Sequence, residues 1–199
     1  MKKIYIAILI IIFIIFFLFF YYKNSKLGNT IINLSEEKVI ENILSNKFNY
    51  KAEIKVNVYS NKNKNEYKLK IMENGKNSLL EVVGKNSISG LKIEKKNEDL
   101  IVTNSNLGLD KIYEKYKEMT DSSLFLTSFS KEYNESKKKQ IVEKNNEVLI
   151  KITIKDYNKY IKYKELYLNK KTGMPIKLIV KDSNNQIRIS IKYTSIEIL

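Results

Sequence analysis

Residues 50–58 read YKAEIKVNV, and this stretch decides the fold because its side chains alternate strictly. Tyr50, Ala52, Ile54, Val56 and Val58 fall on one side of an extended chain, and the polar residues between them fall on the other. Such alternation is typical of an antiparallel strand with one buried and one solvated face. The sequence therefore predicts a long, half-buried antiparallel strand here.

The same alternation recurs along the chain and predicts further strands. In one of them the alternating positions are Ile161, Tyr163 and Tyr167. Polar or glycine-containing turns, such as 73–76, 170–173 and 182–185, separate the stretches. The further strands are predicted at 67–71, 79–83, 91–94, 100–103, 141–142, 148–154, 161–167, 176–180 and 187–193. About ten strands in meander order predict a mainly β (α+β) fold built on one strongly curved antiparallel sheet.

Helices are predicted on the concave side of this sheet. Residues 35–46 carry apolar side chains at helical spacing, and Glu36 and Glu37 lie in the first turn, where the helix dipole favours carboxylates. Residues 121–139 show the same spacing, with a polar N-cap at 121–123 and lysines at 137–139. A shorter helix is expected around Ile112 and Tyr113. The apolar lid formed by the two longer helices would comprise Ile40, Ile43, Leu44, Phe125 and Phe129.

The N-terminus predicts a membrane anchor. Residues 4–22 form an apolar run without a charge, and a helix of this length spans about 30 Å of hydrocarbon. A cleaved signal peptide is the alternative, but its apolar core would be only about 7–15 residues long and followed by small residues. We therefore expect a retained anchor at 1–26 and one exported domain at 27–199. The short basic N-terminus would stay in the cytoplasm, so that the C-terminal domain of this membrane protein is extracytoplasmic.

The composition is strongly basic, with a formal net charge of +14. An AT-rich genome explains the abundance of Lys, Asn and Ile; attraction to anionic lipid headgroups or wall polymers is the functional alternative. Nucleic acid is not expected as a partner, because its readers depend on bidentate arginines and Arg188 is the only arginine.

Residues for catalysis are scarce. The chain has no histidine and no cysteine, so the usual general base, zinc and haem ligands and thiol nucleophiles are absent. The tripeptide KTG at 171–173 and the Ser-x-x-Lys matches at Ser35, Ser128 and Ser136 have parallels in serine acyl-enzymes. Such matches arise by chance in a lysine-rich chain, and no S-D-N intervenes. We therefore expect no enzymatic activity, no metal and no cofactor.

The C-terminal hairpins carry a family resemblance. Residues 166–175 read LYLNKKTGMP and, with the hairpin that runs on to Tyr193, resemble the end of the lipoprotein-carrier superfamily of LolA and LolB. The N-terminal helix and the long strand from Tyr50 are also similar, so that the likeness covers residues 34–199. It implies an open β half-barrel whose helical lid covers an apolar concavity, which binds acyl chains or presents a surface to partners.

Within that superfamily, the size, the membrane tether and the composition are similar to clostridial spore-germination proteins of the GerS kind. Those proteins act as noncatalytic partners of a peptidoglycan amidase in spore cortex modification. This sequence departs from the lipidated members because it has no cysteine, and residues 4–22 would serve as its anchor.

Two functions follow from the resemblance. The first is a membrane-anchored, noncatalytic partner of a cell-wall amidase, with Tyr157, Tyr160 and Tyr163 as the partner surface. The other interpretation of these tyrosines is that they only pack beside their own hairpin. The second is a lipid or lipoprotein carrier, although a fixed anchor argues against a shuttle between two membranes. Alternatively, the cavity residues of such a carrier simply fill a core against the lid. The proposed cavity lining is Ile54, Val56, Val58, Tyr67, Leu69, Ile150, Ile152 and Ile189.

The anchor hypothesis predicts that the mature protein keeps residues 4–22 and fractionates with membranes, because no cleavage site follows the apolar run. Cell fractionation followed by N-terminal sequencing measures this directly, and a chain that lacks residues 1–26 serves as the control that leaves the membrane fraction. A soluble natural form beginning near residue 26 would contradict the hypothesis.

Overall fold

The computed structural model describes residues 40–41, 43–45, 49–60, 62–74, 77–84, 87–114, 123–155 and 157–199. Within these ranges no helix has the length and apolar character needed to cross a bilayer. The predicted anchor at 4–22, the domain boundary after residue 26 and the first part of the helix predicted at 35–46 lie outside the described residues.

The described chain is mainly β, as the alternating pattern predicts, and its strands belong to one antiparallel sheet. The strands are β1 (Tyr50–Tyr59), β2 (Lys64–Asn74), β3 (Asn77–Val83), β4 (Lys92–Lys96), β5 (Asp99–Asn104), β6 (Leu109–Tyr113), β7 (Lys139–Lys144), β8 (Glu147–Thr153), β9 (Tyr163–Asn169), β10 (Pro175–Lys181) and β11 (Ile187–Ile198). One α-helix, α1 (Leu126–Glu135), lies between β6 and β7, and Ile40, Glu41, Ile43 and Leu44 are also helical.

The spatial order of the strands is β6-β5-β4-β3-β2-β1-β11-β10-β9-β8-β7. The sheet therefore consists of two meanders, β1 to β6 and β7 to β11, which meet where the first strand pairs with the last. That pairing runs from Tyr50 opposite Ile198 to Val58 opposite Ile189, with one irregularity after Glu53. The sheet is not closed, because β6 and β7 form its two edges.

The prediction of a short helix around Ile112 and Tyr113 is wrong, because both residues belong to the edge strand β6. Asn104 explains the turn that precedes it: its side-chain oxygen accepts hydrogen bonds from the backbone N–H groups of Asn106 and Leu107 at 3.0 and 3.3 Å. Gly108 then adopts a positive φ of 59° and returns the chain to β5. Most of β6 is exposed on both faces, so the sequence lacks the alternation that marks a half-buried strand.

The connection from β6 to β7 explains why a helix covers the sheet. The β6 and β7 edges are ten inter-strand steps of about 4.8 Å apart along the sheet, and the connection must carry the chain from one edge to the other. Helix α1 contacts β1, β2 and β9 through side-chain hydrogen bonds on one face of the sheet, which we call the inner face. The register confirms that these contacts share a face, because Lys164, Val180, Ile189 and Val58 lie opposite one another across β9, β10, β11 and β1.

Phe129 is the central apolar side chain of α1 and is fully buried, with 0% exposure. Replacing it by Ala should lower the free energy of unfolding by about 3–5 kcal/mol, because it removes a buried aromatic ring and leaves a cavity. Urea denaturation of the full-length chain in detergent measures the loss. The matched control is Glu135→Ala on the same helix, where the exposed side chain predicts a change within about 0.5 kcal/mol. A cost below about 1 kcal/mol for Phe129→Ala would contradict a packed interior.

Candidate functional site

The eight residues proposed as cavity lining all lie on the inner face of the sheet. The register pairs Ile54 with Leu69, Val56 with Tyr67, and Val58 with Ile189. Five of the eight are buried, and Val58, Tyr67 and Ile189 are half-buried at one end of the sheet. The buried five are Ile54, Val56, Leu69, Ile150 and Ile152. A ligand cavity at these residues remains a prediction.

The five proposed lid residues lie in the two helical segments or directly beside them. Ile40, Ile43, Phe125 and Phe129 are buried, and Leu44 is half-buried. Polar contacts connect the two segments: the Ser130 hydroxyl donates to the Ile43 carbonyl, and the Asn134 amide donates to the Leu44 carbonyl at 3.1 Å. The two segments are therefore held together as one layer.

The start of α1 is capped by side chains of the sheet. A local polar cap is predicted at 121–123, and Ser123 is the residue of this range that the structure describes. Ser123 is not the N-cap, because α1 begins after Phe125. The Phe125 side chain makes no cap hydrogen bond within the described part of the chain. Instead, the Leu126 N–H donates to the Tyr50 hydroxyl at 3.2 Å, and the Thr127 N–H and hydroxyl donate to the carboxylate of Glu73. Tyr50 and Glu73 lie opposite each other on β1 and β2, so they meet the helix end together.

Glu73 is an acid in a buried position, with 6% exposure. Burial raises the pKa of its carboxyl above the usual range, because charge is costly away from water; hydrogen bonds from Thr127 and Tyr50 and the charge of Lys95 oppose the rise only in part. The carboxylate also faces the helix N-terminus, where the macrodipole favours negative charge. Sequence reasoning missed this residue; the available signal was an acid at an inward-facing position of an alternating strand.

Lys164 is a second buried charge and makes the other polar contact between α1 and the sheet. It has 0% exposure, and its ammonium lies 2.6 Å from the Glu132 carboxylate and 3.4 Å from the Ser128 hydroxyl. On β9, Lys164, Leu166 and Leu168 face inward, whereas Tyr163 and Tyr167, the alternating positions named from the sequence, face outward. Leu166 and Leu168 carried the correct signal in the sequence.

The other buried carboxylates have structural partners. Glu165 binds the Lys181 ammonium at 2.8 Å, and Asp182 binds the Arg188 guanidinium while also accepting two backbone N–H groups at 2.9 Å. Within the described ranges, no three acidic residues lie together in a way that could hold a metal ion. These carboxylates stabilise turns and strand faces.

The three tyrosines proposed as a partner surface lie on or beside the loop between β8 and β9. We call the residues of this loop that the structure describes, 154–155 and 157–162, the tyrosine loop. Tyr157 and Tyr160 are 52% and 56% exposed, and Tyr163, the first residue of β9, is half-buried. Two large aromatic side chains on one exposed loop form the kind of surface that protein interfaces use as anchors.

The tyrosine loop is ordered by its own hydrogen bonds. The Asn158 side chain accepts from the N–H groups of Tyr160 and Ile161 at 2.8 and 3.0 Å, which makes an Asx turn. The two ends of the loop are joined to each other, because the Ile154 N–H donates to the Lys162 carbonyl, and they are tied to β10, because the Lys162 N–H donates to the Lys181 carbonyl. The exposed rings are thus presented by a shaped backbone, which lowers the entropy cost of binding.

Lysines accompany these rings and make the surface basic. The Lys162 ammonium lies 4.7 Å from the ring centre of Tyr157 and 5.2 Å from that of Tyr163, and Lys159 lies 4.8 Å from Tyr160. These cation–π contacts restrain the rings and leave the positive charges near the surface. Sequence reasoning selected the tyrosines and missed the lysines between them.

The raised pKa of Glu73 predicts a pH effect on stability. A folded-state pKa above the unfolded value means that this group favours folding fully below the unfolded pKa, and that the benefit is lost as the pH rises through the folded pKa. Glu73→Gln keeps the acceptor for Thr127 but cannot ionise. The free energy of unfolding of Glu73→Gln minus that of the natural chain should therefore increase from about pH 4.5 to about pH 8. Urea denaturation of both chains across this range measures the difference. A difference that stays constant or falls with pH would contradict the assignment.

Solved structures with this fold include a chain in the complex of the CwlD amidase from Clostridioides difficile with the GerS lipoprotein. The identity is 23% and the TM-score 0.52, over 85% of this chain and 98% of that chain. An uncharacterized conserved protein from Thermus thermophilus matches at 9% identity and a TM-score of 0.51, over 83% of this chain and 88% of that one. A LolA superfamily protein from Nitrosomonas europaea matches at 10% identity and a TM-score of 0.41, over 83% and 94% of the two chains.

Because these identities are below 25%, the matches to the chain of the amidase–lipoprotein complex and to the Thermus thermophilus protein show a shared fold alone. No curated protein sequence matches this chain significantly. The family model for sporulation protein YdcC-like matches residues 1–198, which is nearly the whole sequence. The chain belongs to the sporulation protein YdcC-like family.

Proposed function

We propose that this protein is a noncatalytic, membrane-anchored extracytoplasmic protein that binds a peptidoglycan-processing amidase during cortex modification and germination of the spore. The observation that carries the proposal is the tyrosine loop, an ordered and exposed aromatic surface. The same function is supported by membership of a sporulation family and by the fold shared with a chain of an amidase–lipoprotein complex.

The lack of catalytic groups supports an accessory role. Without histidine and cysteine, hydrolysis would depend on carboxylates, lysines or hydroxyls. The buried acids Glu73, Glu165 and Asp182 already bind a helix end, lysines or an arginine. The buried Lys164 is likewise held by Glu132 and does not reach a surface where a substrate could approach.

The tyrosine loop supports a protein partner because of its composition and its rigidity. Tyr157 and Tyr160 offer large contact areas with few rotatable bonds, and hot spots at protein interfaces are enriched in tyrosine. The neighbouring lysines Lys159 and Lys162 would steer an acidic partner surface toward the loop.

The carrier alternative depends on the inner face. Val58, Tyr67 and Ile189 are half-buried apolar side chains near one another in register, which favours an opening at this end of the sheet. The other proposed lining residues are buried beneath the lid, and this supports a filled interior. Native mass spectrometry of the full-length chain distinguishes the two, because a carrier would retain an acyl lipid.

The partner hypothesis predicts that a Tyr157→Ser/Tyr160→Ser variant loses affinity for the sporulation amidase by roughly thirtyfold or more, since two anchor side chains are removed. Surface plasmon resonance with the full-length chain in detergent and the purified amidase measures this. The control is Tyr113→Ser, which removes an exposed tyrosine from β6, the edge strand farthest from β7 in the sheet. This variant should bind the amidase with the same affinity as the natural chain.

Two results would contradict the proposal. One is equal affinity of both tyrosine variants and the natural chain for the amidase, or no binding by any of them. The other is release of peptidoglycan fragments by the purified chain alone, because a noncatalytic protein cannot produce them.

A further inference from the structure

A cleft of about 380 Å³ lies beside the tyrosine loop, along β7, β8 and β9. Its position follows from the register: Gln140, Lys151 and Glu165 lie opposite one another, and Thr153 lies opposite Tyr163. These residues alternate with the inward-facing Ile150, Ile152, Lys164 and Leu166. The cleft is therefore on the outer face of the sheet, away from α1 and from the proposed lipid cavity.

The cleft carries more positive than negative charge. Glu165 is its one acidic lining residue among those that the structure describes, and it already binds Lys181 at 2.8 Å and Lys151 at 3.8 Å, so that one carboxylate serves two ammonium groups. Burial alone would raise the pKa of Glu165, but the hydrogen bond and charge of Lys181 outweigh it and hold that pKa below the usual range. The ammonium of Lys138 at the rim is exposed and has no ion pair within the described part of the chain.

The remaining lining groups suit a hydroxylated ligand. Gln140, Thr153 and Asn185 bring two side-chain amides and a hydroxyl, and none of these three side chains has a hydrogen-bond partner among the described residues. The half-buried ring of Tyr163 adds an apolar wall. A pocket of this volume with an aromatic wall, few convergent polar groups and an excess of cations matches a small polar anion.

We propose that this outer-face cleft binds an acidic sugar, meaning a sugar that bears a carboxylate or a phosphate, as anionic wall polysaccharides do. Lys138 and Lys151 would neutralise the anionic group, Gln140, Thr153 and Asn185 would hydrogen-bond hydroxyl or amide groups, and Tyr163 would contact the sugar ring. The assignment rests on the extracytoplasmic position in the proposed function, but not on binding of the amidase. The protein would thereby contact the wall polymer and the enzyme on adjoining surfaces.

The test is isothermal titration calorimetry of the full-length chain in detergent with three N-acetylated amino sugars. The two acidic probes are the disaccharide N-acetylglucosaminyl-N-acetylmuramic acid and N-acetylglucosamine 1-phosphate, and the neutral probe is N,N′-diacetylchitobiose. We expect at least one acidic probe to bind roughly tenfold more tightly than the neutral probe, because hydrogen bonds to charged groups are the stronger ones. The better acidic probe identifies carboxylate or phosphate as the anionic group, and its affinity should fall as salt is added.

The decisive variant is Lys138→Gln/Lys151→Gln, which should weaken binding of the acidic probe by about tenfold. Its matched control is Lys92→Gln/Lys111→Gln, near the opposite edge of the sheet. Lys92 has an ion pair of the same length as Lys151, 3.8 Å to Glu81, and Lys111 is exposed like Lys138. The control should bind the acidic probe within about twofold of the natural chain.

Three results would overturn the assignment: equal affinity for neutral and acidic sugars, unchanged affinity in Lys138→Gln/Lys151→Gln, or no binding of either acidic probe at about 10 mM. Amidase binding is measured separately on the same variant, and it should be retained because Tyr157 and Tyr160 are intact. If the cleft does not bind acidic sugars, the hypothesis of an amidase partner is unaffected. If the chain does not bind the amidase, the sugar titrations still test the cleft.

Discussion

The pairing of β1 with β11 is the interaction on which the rest of the sheet depends. It joins the first and last strands of the described chain, and without it the two meanders would be separate sheets with exposed edges. Because the pairing closes a loop of more than a hundred residues, it costs chain entropy that local hairpins do not. It also sends β6 and β7 to opposite edges, so the chain between them must cross the sheet and its helix must cover one face.

The crossing helix is positioned by polar contacts as well as by its apolar side chains. Glu73 and Tyr50 bind its first turn, and Lys164 binds Glu132 nearer its end. A buried ion pair adds little net stability, but loss of one partner leaves an uncompensated charge in the interior. Such contacts therefore favour one position of the helix over others that would bury the same apolar area.

Under the proposed function, this arrangement divides the molecule between its two faces. The helix and its apolar contacts cover the inner face, and the proposed recognition sites lie on a loop and on the outer face. The tyrosine loop and the outer-face cleft adjoin there, and both rest on β8 and β9, whose buried residues fix their positions. A shared fold with low sequence identity is compatible with such a division, because function resides in loops and surface side chains while the sheet conserves only its pattern of burial.

The alternation of apolar and polar residues was enough to predict a mainly β antiparallel fold. Apolar residues at every second position of a stretch such as 50–58 all fall on one face of a β-strand. Apolar helical spacing likewise identified Phe125 and Phe129 as buried residues of the helical layer. Local patterns could not reveal β6, which is exposed on both faces, or the ion pair that Lys164 forms with Glu132. Nor could they reveal that Glu73, 54 residues away along the chain, caps the helix at Thr127. The periodicity of a sequence indicates on which face of its helix or strand a residue lies. Which distant group that residue contacts is decided by the tertiary structure alone, because the contact depends on strand order and register.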